Sequence, residues 1–179
     1  MFVGLGNFKQ ALIIVTVAGA VTAILLSGTD TYAPTEPSKT AREKHTVVRV
    51  VDGDTIHTTK DGTPHSIRLI GIDAPEFFYT DSEITGTQCY AQEAKTYLRN
   101  IITNDIIFTE KDALTDDVDT YDRLLRYVYL EDGTFVNGEL ILNGYSKTLP
   151  FFPFSMKDDF IILEKEAQHR QHGLWHYCI

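Results

Sequence analysis

The chain has 179 residues, 43% of them hydrophobic and 23% charged, a composition that is typical of one folded domain of ordinary size. Its formal net charge of −9 excludes the class of strongly basic nucleic-acid-binding proteins. Two cysteines are too few for a disulfide framework or for a four-cysteine zinc site.

The first 29 residues contain a hydrophobic segment. Residues 10–29 are a run of 20 residues without a charge, and a helix of that length spans about 30 Å, the thickness of the hydrocarbon core of a bilayer. We predict an N-terminal hydrophobic helix that is a signal-anchor, with a cleaved signal peptide as the alternative. Residues 30–44, rich in Thr, Pro and Ser, are predicted to be a flexible tether. We therefore expect a membrane as partner of this segment, and a protein that is membrane-anchored or secreted.

Short strands predominate in the remainder, which we predict to be one folded domain at residues 45–179. Runs of β-branched and aromatic residues predict five strands, at residues 47–51, 55–59, 66–72, 105–110 and 124–130. Asp61-Gly62, between the second and third of these strands, predicts a hairpin turn.

Three helices are predicted in the same domain from the helical spacing of apolar residues. They lie at residues 88–102, at residues 135–143, and between a helix-capping Ser155 and a terminating Gly173. The order is three strands, one helix, two strands and two helices. This order predicts an α+β domain built on a small closed five-stranded β-barrel of the OB type.

Charged residues cluster in three places, at residues 52–55, 68–76 and 121–124. Each cluster lies at the end of a predicted strand, where carboxylates can converge on a hard cation with oxygen ligands. The arginines in two of the clusters can bind a phosphate group in a bidentate manner. A cation, a free carboxylate and two arginines are the groups that phosphodiester hydrolysis requires.

These clusters resemble those of the staphylococcal nuclease (thermonuclease) family. Five family segments occur in order: V-x-D-G-D-T at residues 50–55, R-L-x-x-I-D-A-P-E at 68–76, Y-x-R-x-x-x-Y-V-Y at 121–129, Val136-Asn137 and Gly173-Leu174-Trp175. The resemblance covers about residues 47–175. It implies an enzyme that hydrolyses the phosphodiester bonds of DNA and RNA with calcium and leaves 3′-phosphate ends.

The resemblance also implies a calcium site. Asp54 and Asp73 match the family's calcium-binding carboxylates, and the backbone carbonyl of Ala74 stands at a third ligand position. Asp52 is expected to support these ligands without binding the ion directly. The implied cofactor is therefore Ca²⁺, and the implied partner is DNA, RNA or both.

Four further side chains match the family's reacting groups. Glu76 matches the carboxylate proposed to activate the attacking water, and Arg68 and Arg123 match the two phosphate-binding arginines. Tyr121 matches a tyrosine that lines the nucleotide pocket. Because a guanidinium group stays protonated in proteins, we assign Arg123 to charge stabilisation and not to proton donation.

The chain also departs from the family pattern. Residues 77–88 carry two acidic residues and no lysine, where family members often have basic residues that attract nucleic acid. Phe151 and Phe152 stand near tyrosines of the best-known member, and we expect either base stacking or packing in the core or next to a membrane. Arg126 replaces a residue that is usually small, and we expect it to face solvent. Asp112, Asp116, Asp117 and Asp119 predict a solvated acidic loop, with a second cation site as the alternative.

The two cysteines lie at the start of the first predicted helix and at the end of the chain. Cys89 and Cys178 either form a disulfide, which adds about 4 kcal/mol at most by restricting the unfolded chain, or remain two separate thiols. A disulfide requires an oxidising compartment and favours an extracytoplasmic domain.

Three functions remain open at this point. The leading hypothesis is a calcium-dependent nuclease, expected to be a monomer, and the main alternative is a non-catalytic OB-type nucleic-acid-binding module. A third option is an anchored calcium-binding structural domain, which would tolerate loss of both arginines. A binding module has no need of the five residues that carry the chemistry, which are Asp54, Arg68, Asp73, Glu76 and Arg123.

Overall fold

The computed structural model describes residues 42–80 and 83–178. Along the chain, the elements of this part are β1 (Glu43–Val50), β2 (Thr55–Lys60), β3 (Thr63–Leu69), β4 (Ile72–Asp73), β5 (Phe77–Thr80), β6 (Glu83–Thr87), α1 (Ala91–Ile101), β7 (Ile106–Glu110), β8 (Leu124–Tyr129), α2 (Val136–Leu142), β9 (Lys147–Thr148), α3 (Lys157–His169) and α4 (Leu174–Tyr177). The first strand thus includes the last two residues of the predicted tether.

The predicted membrane segment lies outside this part of the chain, as do residues 30–41 of the predicted tether. Within residues 42–80 and 83–178, every helix is too short or too polar to cross a membrane.

Five strands close into a barrel in the order β1-β2-β3-β8-β7. The pair β3–β8 is parallel, and the neighbours β1–β2, β2–β3, β7–β8 and β1–β7 are antiparallel. One apolar side chain from each of four strands fills the barrel and is fully buried: Ile56, Ile67, Ile107 and Val128. The closed five-stranded barrel, filled by these side chains and accompanied by helices, confirms the predicted α+β fold with an OB-type barrel.

The hairpin between β2 and β3 turns at the predicted dipeptide. Asp61 and Gly62 both have positive φ values, 50° and 78°, as a two-residue hairpin turn of type I′ requires. The turn fixes the β2–β3 register, in which Thr55 is opposite Arg68. It thereby places one charged cluster beside another.

The helices cover the barrel with their apolar faces. Leu98 of α1, Leu140 and Ile141 of α2 and Phe160 of α3 are fully buried in a core that is continuous with the barrel. Cys89, just before α1, is bonded to Cys178 by a disulfide across 89 residues of sequence. Of the two alternatives for the cysteines, the structure contains the bridge.

The third predicted strand lies earlier in the chain than expected, at Thr63–Leu69 and not at residues 66–72. It ends at Leu69 because Gly71 adopts a φ of 74° and packs against Phe154, where a Cβ atom would lie 2.7 Å from the ring. Beyond this turn the chain forms β4, which pairs with β9 outside the barrel. The break redirects the segment that carries Asp73 away from the barrel wall.

Two smaller expectations are wrong. Ser155 does not cap the last long helix, because its hydroxyl donates to Asp112 Oδ1 at 3.0 Å and the helix begins at Lys157. Arg126 does not face solvent. Its side chain is buried, and Nη1 lies 2.7 Å from both Asp117 Oδ1 and the Leu125 carbonyl oxygen.

Candidate functional site

The loop between β1 and β2 brings the first charged cluster against the segment 72–76. The Asp54 N–H donates to Asp52 Oδ1 at 3.0 Å, which closes a tight turn at residues 52–54. Gly53 permits the close approach, since a Cβ atom there would lie 2.6 Å from the Ala74 Cβ. The V-x-D-G-D-T motif therefore needs its glycine to place Asp54 next to Ala74.

Asp54 is the buried centre of the site, with only 1% of its surface exposed. Its Oδ2 accepts a hydrogen bond from the Ala74 N–H at 2.8 Å, and its Oδ1 accepts one from the Thr55 hydroxyl at 3.1 Å. Arg68 Nη1 lies 2.5 Å from the same Oδ2. A carboxylate this deep needs these partners because burial without them disfavours its charge.

Three carboxylates surround one point in this site. Oxygen atoms of Asp52, Asp54 and Glu76 all lie within 4.8 Å of one another. Burial raises the pKa of the Asp54 carboxyl to about 7, a rise that the Arg68 charge opposes and the Asp52 and Glu76 charges increase. Burial also raises the pKa of Glu76, and the charge of Asp52 adds to the effect. Arg68 therefore offsets only part of the negative charge of these crowded carboxylates, and a hard, oxygen-binding cation would offset more of it.

The two other predicted calcium ligands adjoin this cluster. The Asp73 carboxylate stands outside the group of three; it is exposed, and its Oδ1 lies 3.7 Å from Arg68 Nη2. The Arg68 guanidinium therefore contacts both aspartates of the predicted ligand set. Ala74 is buried, and its backbone is attached to Asp54 by the hydrogen bond described above.

Glu76 is held at the backbone by a residue that the sequence analysis missed. The Gln88 side-chain oxygen accepts the Glu76 N–H at 3.0 Å, and the Gln88 N–H donates to the Glu76 carbonyl at 2.8 Å. These two hydrogen bonds close the base of the β5–β6 hairpin directly at Glu76. The adjacent residue, Cys89, carries the disulfide.

Arg123 reaches the site from the start of β8. This strand is parallel to β3, with Arg68 paired to Leu125, so the two arginines emerge at the same end of the barrel. The charges of Arg68 and Arg123 both oppose the rise in the pKa of Glu76. The structure therefore brings together the two arginines and the carboxylate of the predicted reacting groups.

The sequence analysis also missed Asp119, whose carboxylate orients Arg123. Asp119 Oδ2 lies 2.7 Å from both Nε and Nη2 of Arg123. Its Oδ1 accepts the backbone N–H groups of Tyr121 and Arg123, each at 2.9 Å. An Asp two residues before Tyr121 is a signal for such a turn. The Tyr121 ring is largely exposed and lies 5.2 Å from the Arg123 guanidinium carbon.

Two other acidic residues of this loop, Asp112 and Asp117, contact protein partners. Asp117 pairs with Lys111 and Arg126. Asp112 accepts hydrogen bonds from the Tyr127 hydroxyl, the Leu114 N–H and two groups of Ser155. Together with the Asp119–Arg123 pair, these contacts neutralise much of the loop and favour a structural role over a second cation site.

Two aromatic rings are exposed in the segment before α3. Phe151 and Phe152 both present most of their surface to solvent. Packing in the core, one of the expectations for these residues, is therefore wrong. The other expectations, base stacking and packing next to a membrane, stay predictions.

Known proteins resemble the part of the chain that contains this site. The pattern of the family described as "Staphylococcal nuclease homologue" matches residues 66–177. A thermonuclease of Staphylococcus intermedius is 37% identical over 135 residues, which cover 74% of this chain and 76% of that protein. A thermonuclease of Staphylococcus hyicus is 31% identical over 162 residues, which cover 87% and 92%. Endonuclease YhcR of Bacillus subtilis is 33% identical over 150 residues, 79% of this chain and 12% of that protein. These matches confirm the resemblance that the sequence motifs indicated: the chain belongs to the staphylococcal nuclease family.

Proposed function

We propose that the protein is a calcium-dependent nuclease that hydrolyses phosphodiester bonds of DNA, RNA or both and leaves 3′-phosphate ends. Family membership and the thermonuclease and endonuclease relatives identify the chain as an endonuclease-type hydrolase. The observation that carries the finer proposal is the acidic cluster of Asp52, Asp54 and Glu76, with Asp54 buried at its centre next to Arg68. A cation and a phosphate group complement these two kinds of charge.

Asp54, Asp73 and the Ala74 carbonyl are the groups proposed to hold calcium, with Asp52 supporting them. The crowded, buried carboxylates fit a hard cation with oxygen ligands. When bound, calcium would neutralise phosphate charge and polarise the phosphoryl oxygen.

Arg68 and Arg123 are proposed to bind the scissile phosphate. Negative charge grows on the phosphoryl oxygens as water attacks, and guanidinium N–H groups fixed in place stabilise it without reorganising. Asp119 contacts the Nε–Nη2 edge of Arg123, which leaves N–H groups on the rest of the guanidinium free to meet a phosphate. Loss of either arginine is expected to raise the barrier by about 3–4 kcal/mol.

Glu76 is proposed as the general base. It is half-buried, and burial together with the Asp52 charge raises the pKa of its carboxyl, which makes it a stronger proton acceptor than an exposed glutamate. The water oxygen bonds to phosphorus while its proton passes to Glu76, and the bond from phosphorus to the 5′-oxygen breaks. The leaving oxygen then takes a proton from solvent, which yields the 3′-phosphate end.

Three exposed aromatic rings are proposed to contact the nucleotides. Tyr121 lies beside Arg123, where it can line a nucleotide pocket. Phe151 and Phe152 are open to solvent and offer flat faces to bases. These contacts would bind the nucleotides without adding charge.

We also propose that the nuclease domain acts outside the cytoplasm as a monomer, tethered or released by its N-terminal segment. The disulfide between Cys89 and Cys178 supports this location, because such bonds persist in oxidising compartments.

The test compares the purified full chain with two variants on plasmid DNA, single-stranded DNA and RNA, in calcium, magnesium or chelator. We expect degradation in calcium and none in chelator, with a loss of about 10²–10³-fold in kcat for Arg68→Ala. Glu76→Gln should lose most turnover while still binding calcium in a calorimetric titration.

An exposed arginine of β1, Arg49, whose side chain lies 3.4 Å from His57 Nδ1, offers a matched control. Arg49→Ala changes the charge as Arg68→Ala does and should leave the rate within about twofold. Binding of nucleic acid without degradation in calcium would instead favour a non-catalytic binding module. Near-normal turnover of Glu76→Gln would remove Glu76 as the base.

A further inference from the structure

The β5–β6 hairpin presents apolar side chains to solvent beside the candidate site. Tyr79 and Ile84 are directly opposite each other in its register and are 53% and 58% exposed. Phe78, which strand alternation directs to the other face, is 51% exposed and lies over Gly86, whose missing side chain leaves room for the ring. Exposed apolar surface on so small a sheet is a feature of contact sites.

The hairpin is attached to the site at its base. The two hydrogen bonds between Gln88 and Glu76 close it, and Phe77 is buried with Lys95 Nζ 5.3 Å from its ring centre. Tyr79 follows Glu76 by three residues, about 10 Å along an extended strand. Groups that flank a phosphate bound beside Glu76 therefore lie within reach of the Tyr79–Ile84 pair.

The charge of the hairpin excludes a phosphate-binding role. Residues 77–87 contain no lysine or arginine, and they contain Asp81 and Glu83. Affinity for the backbone of a nucleic acid comes mainly from basic side chains. The uncharged, flat parts of a nucleic acid are its bases, and in a duplex these are stacked and expose only their edges.

We propose that the hairpin contacts unpaired bases of a single-stranded polynucleotide, with Tyr79 and Ile84 as the contact pair. This inference rests on the proposed nuclease function and adds the surface that selects the form of the substrate. An aromatic ring accepts any base, because every base has a π face. The hairpin therefore favours single strands over duplexes without selecting a sequence.

The experiment measures kcat/KM of the full chain in calcium on a single-stranded DNA oligonucleotide and on the duplex of the same sequence. A Tyr79→Ser/Ile84→Ser double variant should lose about tenfold on the single strand and less than twofold on the duplex. Tyr79→Phe keeps the ring and should match the wild type. Ile162→Ser on α3, at a position 63% exposed, removes a similar apolar side chain elsewhere and should change neither rate.

The outcomes separate this inference from the proposed function. A wild-type chain that cleaves neither substrate in calcium overturns both. An active wild type whose double variant loses nothing, or loses equally on both substrates, overturns the hairpin inference alone. A double variant that keeps its single-strand rate but loses binding to phosphatidylglycerol vesicles also overturns it, in favour of a lipid contact. If the double variant fails to fold, as judged by thermal unfolding, the single variants Tyr79→Ser and Ile84→Ser carry the same comparison.

Discussion

Asp119 fixes the position of the Arg123 guanidinium, so an Asp119→Asn variant tests whether turnover depends on that position. The Asp119 Oδ2 atom lies 2.7 Å from both Nε and Nη2 of Arg123, and Oδ1 accepts two backbone N–H groups of the same turn. The amide oxygen of the variant can keep the two backbone hydrogen bonds. Its NH₂ group cannot accept from a guanidinium, so the side-chain contact is lost.

The size of the effect follows from what the variant keeps. Removing one preorganised charge-stabilising group costs about 3–4 kcal/mol, or about 10²–10³-fold in kcat, which sets the upper limit. Because Arg123 and its turn both remain, the guanidinium is displaced and not removed. We expect a loss of about 10- to 100-fold in kcat with a smaller change in KM, since the proposed contact between Arg123 and the phosphate would strengthen as the transition state forms.

The assay measures kcat and KM on a single-stranded oligonucleotide in saturating calcium, together with thermal unfolding. Asp117→Asn is the matched control, because Asp117 lies on the same loop but pairs with Lys111 and the buried Arg126 at 2.8 and 2.7 Å. That variant should lose about 1–2 kcal/mol of unfolding free energy and keep kcat within about twofold. A wild-type kcat for Asp119→Asn, or equal losses in both variants, would refute the reasoning.

Three further predictions concern stability and positioning. Burial acts to raise the pKa of Asp112, but hydrogen bonds, chiefly from the Tyr127 hydroxyl, hold it below its usual value. The ionised Asp112 carboxylate therefore stabilises the fold fully above the unfolded-state pKa of about 3.9, and this stabilisation is lost as the pH falls through the lower folded-state pKa. Asp112→Asn should flatten the pH dependence of the free energy of unfolding in urea below about pH 4. An unchanged pH dependence would contradict this. Gln88→Leu removes the side-chain acceptor of the Glu76 N–H and should lower kcat several-fold with little change in KM. Gln88→Glu keeps an acceptor and should recover part of the loss. Equal kinetics of the two variants would argue against a role of this hydrogen bond in orienting Glu76. Reduction of the disulfide should lower the free energy of unfolding by at most about 4–5 kcal/mol, because the bond closes a loop of 89 residues. Urea unfolding with and without dithiothreitol measures the difference. Identical unfolding midpoints would contradict the prediction.

Local patterns predicted the barrel because they report local physics. Alternation along a strand decides which side chains enter the core, and Asp61-Gly62 decides where the chain reverses. The motif residues were predictable as a group, since they lie in or beside the ends of strands β1, β3, β4 and β8. The turn at Gly71, by contrast, depends on the distant Phe154 ring, which no local pattern reveals.

The residues that sequence analysis misplaced are polar groups whose partners come from elsewhere in the chain. Arg126 has the composition of a surface residue, but a loop that crosses the barrel supplies Asp117 as its partner. Ser155 has the spacing of a helix cap, but Asp112 lies closer to its hydroxyl than the helix does. A polar side chain can form either a local hydrogen bond or one to a distant residue, and the packing of the loops determines which of the two forms.

The proposed site also accounts for an acidic protein that acts on a polyanion. Four carboxylates, those of Asp52, Asp54, Asp73 and Glu76, adjoin Arg68, and the charge of Arg123 is already met by Asp119. Without a cation such a site repels phosphate, because its fixed negative charges outnumber its free positive ones. A bound divalent ion would offset two of these negative charges and would place positive charge next to the proposed phosphate position. In the proposed function, the acidic residues that lower the overall charge are thus in part the groups that would make substrate binding depend on the metal, and the apolar hairpin and exposed rings would supply contacts to bases that need no charge.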